Sequence, residues 1–208
     1  IHKSLLTGLL AFACLVAAMA GSGPLRIGLF YDYQVRSVVI SPEADDICLL
    51  VDGQSPAGIS GSEMLYVSMV AGRLYIQGAR GGSCQGLQLV TGSRSGRGEF
   101  GVQPLDNPVE KRIYRGQLQI VPGIAGLGLI LHAGMNDYLS GVVKTEGGYE
   151  TSPEFYKAQA VLCRTYACKH IGKHEEEGFD LCDCTHCQAF KGMIPADFPY
   201  TVRVVSEV

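Results

Sequence analysis

The sequence predicts an α+β chain: a β-rich N-terminal region of hairpins packed with a small helical core. Three observations lead there. Short alternating or β-branched runs recur from Leu25 to residue 133, with glycine and proline between them; two helix patterns occupy 136–166; and 27 glycines in 208 residues suit a chain of many tight turns better than a helical bundle. With 47% hydrophobic and only 18% charged residues, there is enough apolar material for a real core. The formal net charge of −3 gives no electrostatic reason to expect nucleic acid as a partner.

Taken in order, Lys3 precedes an apolar run from Leu5 to Ala20 that ends Ala18-Met19-Ala20, the small residues a signal peptidase cleaves after. Residues 1–20 are therefore expected to be a signal peptide, with a retained N-terminal anchor as the competing reading, and the chain to be exported. Strands are expected over Leu25–Phe30, Arg36–Ser41, Leu65–Ser68 and Arg73–Gln77, with breaks at Pro42, Asp52-Gly53 and Ala71-Gly72. Gly81-Gly82-Ser83 lacks the lysine of a phosphate-binding loop and reads as a turn, and Thr91–Gly98 reads as an exposed loop. Arg112–Ile120 alternates cleanly except around Tyr114–Gly116, where a bulge is expected. Leu127, Leu129 and Leu131 mark the next strand, which closes a β-rich region over 21–133.

The segment 134–208 then reads as a helical core with a Cys/His motif and the start of a further β region. Asn136 or Asp137 can cap a short helix through Tyr138, Leu139, Val142 and Val143, stopping soon after Lys144 at Gly147-Gly148. Glu146 then stands at the mouth of the turn into a second helix. That helix is capped by Thr151 or Ser152, has Pro153 in its first turn, and shows Phe155, Ala158, Leu162, Thr165 and Tyr166 as a core-facing stripe. Lys157 and Arg164 share a face offset from it. The end, Thr201–Val208, looks strand-like and stops as if the chain were cut short.

Cys182, Cys184, His186 and Cys187 fall close together, shortly after Cys168, His170 and His174. Cys182, His186, Cys187 and His174 could make a tetrahedral zinc site, though the adjacency of His186 and Cys187 strains it. Disulfides within 182–187 or from Cys168 compete with that reading, and so do inert thiols. Seven cysteines outside the leader is an odd number, so at least one is free, metal-bound or paired between chains. A cysteine-protease arrangement lacks support, because the histidines are clustered and no distant oriented acid is evident.

Several motifs occur in a fixed order: Tyr138-Leu139-Ser140-Gly141-Val142-Val143 with Glu146, Lys157-Ala158-Gln159-Ala160-Val161, Arg164-Thr165-Tyr166-Ala167, Phe179 to Asp183, Thr185-His186-Cys187-Gln188 and Lys191-Gly192. Upstream, Leu25–Phe30 and Tyr114-Arg115-Gly116 fit the same pattern. This order resembles the stage II sporulation protein D (SpoIID/LytB) family from about Leu25 onward. The resemblance implies a peptidoglycan lytic transglycosylase working outside the membrane on glycan strands, in sporulation or cell-wall remodelling. It matches Glu146 to the family's catalytic glutamate and Lys157 and Arg164 to polar residues of its cleft. Cys182, His186 and Cys187 match a structural zinc site found in some members, and His174 is added by geometry alone. Where the family usually has a proline before this glutamate and Met-Pro after it, this chain has Lys144-Thr145 and Gly147-Gly148. A non-catalytic peptidoglycan-binding or amidase-activating module, working with other cell-wall remodelling proteins, is the alternative function.

Overall fold

The computed structural model describes residues 23–43, 47–53, 57–59, 63–77, 82–91, 98–148, 152–193 and 199–208. The expected signal peptide and most of the Thr91–Gly98 loop lie outside them. The class is α+β, as the sequence predicts: among the described residues, two β-sheets and three α-helices share one hydrophobic core. No described helix is long and apolar enough to cross a membrane.

Among the described residues, thirteen strands form the sheets. In the seven-stranded sheet the spatial order is β13 (Leu181–Cys182), β1 (Leu25–Gly28), β12 (Leu127–Ala133), β11 (Gln117–Pro122), β8 (Leu87–Thr91), β3 (Ile47–Val51) and β4 (Ala57–Ile59). The six-stranded sheet runs β10 (Arg112–Arg115), β9 (Glu99–Pro104), β2 (Ser37–Pro42), β5 (Leu65–Val70), β6 (Arg73–Gln77) and β7 (Gly82–Cys84). Every pairing is antiparallel except β1 with β13. The strands β3, β8 and β9 carry no sharp sequence alternation, and β7 occupies part of the Gly81–Ser83 stretch that reads as a turn.

The irregularity at Tyr114–Gly116 is not a bulge. Gly116 has φ +131° and separates β10 in one sheet from β11 in the other, so the chain changes sheets there. A side chain at this position would collide with the His132 carbonyl and the conformation would be strained.

Strand β12 ends at Ala133 and leads directly into α1 (Met135–Gly147). Its N-cap is Gly134 and no side chain caps it, so neither Asn136 nor Asp137 does so. Tyr138 through Val143 are all buried. Gly141 is the point of closest approach: a Cβ there would run into the Gly192 carbonyl and the Phe190 ring. Helix α2 (Pro153–Lys169) is capped as expected by Ser152, whose hydroxyl accepts the Phe155 N–H at 3.4 Å. Its buried face, however, is Tyr156, Ala160, Cys163 and Ala167; Phe155 and Leu162 are exposed. The expected stripe is thus rotated by about one residue, because small side chains rather than the bulky ones let α1 and α2 approach. The C-terminal stretch is α3 (Pro199–Glu207), not a strand, and it buries Val204 and Val205 beside α1 and α2.

Between α2 and α3 runs the Cys/His loop, which two acid–arginine pairs fasten to the β-sheet region. Asp180 accepts the Arg26 backbone N–H at 2.9 Å and Arg26 Nη2 at 2.7 Å. Asp183 accepts the N–H groups of Phe30 (2.6 Å) and Tyr31 (3.0 Å) and Arg112 Nη1 at 2.9 Å. The Asp183 side chain is 3% exposed and that of Arg112 14%, so this pair is nearly dry. Burial pushes the Asp183 carboxyl above the usual range against the pull of those donors. For Asp180, burial also acts upward, but the hydrogen bonds and charge of Arg26 hold the carboxyl below the usual range.

Two outcomes are expected. Arg112→Met strands a buried acid and should lower the unfolding free energy by about 3–5 kcal/mol, read by denaturant titration. Because the folded Asp180 carboxyl titrates below its unfolded value, its stabilisation is complete above about pH 4 and fades as pH falls through the lower folded value. The Tm gap between wild type and Asp180→Asn should therefore narrow on acidification below about pH 4.

Candidate functional site: a clamped glutamate beside a Cys/His cluster

Glu146 lies in the last turn of α1 rather than in the connecting turn, since the helix runs on to Gly147. It is solvent-exposed, and the protein holds both of its carboxylate oxygens. Oε1 accepts the Ala189 backbone N–H at 3.0 Å. Oε2 accepts Gln159 Nε2 at 3.4 Å and lies 3.7 Å from the Cys163 thiol. The turn behind it is fixed as well, because Lys144 Nζ and the Tyr156 hydroxyl both donate to the Gly148 carbonyl at 3.0 Å. Gln188, next to Ala189, is buried and accepts from the Tyr138 hydroxyl at 3.3 Å.

Lys157 and Arg164 share a helix face, as their spacing predicts, and that face is turned to α3. Lys157 Nζ lies 3.4 Å from Glu207 Oε2. Arg164 Nη2 donates to Asn136 Oδ1 at 3.0 Å and to the Val205 carbonyl at 3.2 Å. Asn136 is ten residues before Glu146 on α1, about 15 Å along the helix axis. The structure therefore gathers Gln159, Cys163 and Ala189 around the acid, and directs the Arg164 guanidinium from α2 to Asn136 at the opposite end of α1.

The four proposed ligands do come together. The ligand atoms of His174, Cys182, His186 and Cys187 all lie within 4.8 Å of one another. Individual separations are 3.4 Å for Cys187 Sγ to His174 Nε2, 3.6 Å for Cys182 Sγ to His186 Nδ1 and 4.0 Å for Cys187 Sγ to His186 Nδ1. Ligands at about 2.0–2.3 Å from a tetrahedral ion stand roughly 3.3–3.8 Å apart; two of these separations fall in that range, while the third and the 4.8 Å outer spread are wider, so this two-sulfur, two-nitrogen set would draw in to hold such a cation. The adjacency of His186 and Cys187 is accommodated by a turn closed by Cys187 N–H to the Cys184 carbonyl at 3.1 Å.

Neighbouring groups orient the imidazoles. His174 Nδ1 is 2.6 Å from Glu177 Oε1, which aims Nε2 at the sulfur of Cys187. The Tyr31 ring stacks on His186 at 6.2 Å between centroids, and Phe179 stacks on His174 at 4.8 Å. Cys184 Sγ is 3.5 Å from Cys182 Sγ, outside the set of four. All seven described cysteines are thiols, and Cys168 is exposed, away from the cluster.

Sequence reasoning missed the residues that hold Glu146. Gln159 and Cys163 are four apart on α2 and share a face, a signal that was available. The Ala189 contact is a backbone N–H, which leaves no mark on residue identity.

Among known proteins, residues 125–204 match the family model described as SpoIID: Stage II sporulation protein. No curated protein and no solved structure matches the chain. The match begins at β12 and takes in α1, the acid, α2 and the Cys/His loop. The similarity to the SpoIID family of stage II sporulation proteins is thus carried by residues 125–204.

Proposed function

We propose that this protein is a peptidoglycan lytic transglycosylase acting on glycan strands in sporulation or cell-wall remodelling. The observation behind the reading is that Glu146 is exposed to solvent while an amide N–H, a carboxamide and a thiol hold its two oxygens in place. Its partners are neutral donors and not a second acid. A single positioned carboxyl suffices when the substrate supplies its own nucleophile.

In that reaction the protonated Glu146 gives its proton to the glycosidic oxygen as the bond to the sugar C1 breaks. The Glu146 carboxylate then takes the proton from the same sugar's C6 hydroxyl as that oxygen bonds to C1. A 1,6-anhydro ring and a free 4-hydroxyl result, no water is consumed, and the acid is regenerated. Ala189 and Gln159 orient the carboxylate through both steps. Substrate of this kind lies outside the cytoplasmic membrane, so the reading includes export directed by residues 1–20.

The reading also includes a structural zinc ion held by His174, Cys182, His186 and Cys187. The support is the donor set, its spacing and the Glu177 carboxylate behind His174. The ion would cross-link α2's exit to the loop that presents Ala189, and it supplies no reaction chemistry.

A non-catalytic wall-binding or amidase-activating module is the second reading. One observation favours it: Lys157 and Arg164, expected in the cleft, are engaged by α3.

Mass spectrometry of glycan strands should show new 1,6-anhydro ends with wild type, and a fall of about 10²–10⁴-fold with Glu146→Gln. Cleavage by Glu146→Gln at the wild-type rate would remove Glu146 from the chemistry. Strand binding without cleavage by wild type would favour the second reading. Elemental analysis should find stoichiometric zinc in wild type and its loss in Cys187→Ser, together with a lower Tm. A metal-free wild type with the same Tm in chelator would count against the zinc site.

A further inference from the structure

Cys163 stands on the seam between α1 and α2, in a file of small buried residues with Ala160 before it and Ala167 after it. The side chain is 2% exposed, and a larger one would push the helices apart. Alanine, the residue at 160 and 167 of the same file, also suits such a seam, at the cost of a small void. What the sulfur adds is a hydrogen that can be donated, and Glu146 Oε2 lies 3.7 Å from it, within reach for sulfur.

The direction of that bond follows from its surroundings. Gln159 Nε2 donates to the sulfur at 3.6 Å, so the thiol already accepts a hydrogen bond there. Burial, followed by the charge of Glu146, pushes the Cys163 thiol up to about 12, so it remains an S–H group at neutral pH. The same carboxamide also reaches Glu146 Oε2, which closes a three-membered network of carboxylate, thiol and amide on one oxygen. The Ala189 N–H holds the other oxygen from the opposite side.

We propose that Cys163 is a positioning residue for Glu146: its thiol donates to Oε2 and, opposite the Ala189 amide, fixes the plane of the carboxyl group. The inference rests on the catalytic reading of Glu146 for its effect on rate, but the hydrogen bond itself does not depend on that reading. A carboxyl that delivers a proton to one oxygen and retrieves one from another needs its rotation about the last side-chain bond restrained. Two donors on opposite oxygens provide that restraint.

Two measurements on the full chain test this. In infrared spectra, the S–H stretching band lost in Cys163→Ala should lie below that of a thiol in apolar solvent, and should move up in Glu146→Leu. In initial-rate assays of 1,6-anhydro end formation, Cys163→Ala should lower kcat about fivefold with KM unchanged, and Cys163→Ser should recover to within about twofold of wild type. Thermal melts of the same variants separate a loss of fold from a loss of positioning. A band at the free-thiol frequency that Glu146→Leu leaves in place overturns the proposal. So does a Cys163→Ala variant with wild-type kcat. If wild type forms no anhydro ends, the transglycosylase reading fails, and the infrared band still decides whether the thiol holds the carboxylate.

Discussion

The buried pair of Arg112 and Asp183 is the constraint on which the rest of this structure depends. Asp183 reaches three separate pieces of chain: the end of the first strand through the Phe30 and Tyr31 amides, the edge of the second sheet through Arg112, and its own loop through the Phe190 N–H that binds its carbonyl. Such an acid is tolerated away from water only because its oxygens are matched. Its neighbours Cys182 and Cys184 inherit their positions from it. Three residues further on, Cys187 closes the turn that brings it beside His186, and Ala189 is delivered to Glu146.

The acid is thus built from both directions. From one side β12 passes through Gly134 into α1, and the burial of Tyr138 through Val143 fixes the rotation of that helix, which leaves Glu146 facing out at its last turn. From the other side the Cys/His loop is held on β1 and brings a backbone donor to the same carboxylate. The aromatic contacts Tyr114–Phe190 and Tyr138–Phe190 lie between the two routes and join sheet, helix and loop in one core. Glycines at 141 and 192 allow the approach, since side chains at either would meet backbone oxygen.

Much of this was legible in the sequence, and the reasons differ from element to element. Strands with clear alternation, such as β6 and β11, were evident, whereas β3, β8 and β9 were hidden because their neighbours in the sheet, not their own pattern, define them. The buried face of α2 was misjudged because Phe155 and Leu162 outrank Ala160, Cys163 and Ala167 in hydrophobicity, while close helix packing selects for small volume. The tail Thr201–Val208 is rich in β-branched residues and still forms a helix, with Val204 and Val205 buried beside α1 and α2, a case of packing overriding local preference. The Cys/His grouping could be read from spacing. The assignment of Lys157 and Arg164 to α3 could not, because it depends on where a distant helix docks.

The contacts that seat the Cys/His loop join residues far apart in the chain: Arg26 and Asp180 are separated by 154 positions, and Phe30 and Asp183 by 153. The first strand leaves the ribosome long before its parallel partner β13 exists. Until then its edge is bare, and the Ala189 amide has not been synthesised. A growing chain therefore carries Glu146 on a helix for some time with neither carboxylate oxygen restrained by that loop. Completion of the site waits for residues 180–189 to emerge, and the slow, long-range closure that seats this loop on the first strand is the same event that finishes the acid.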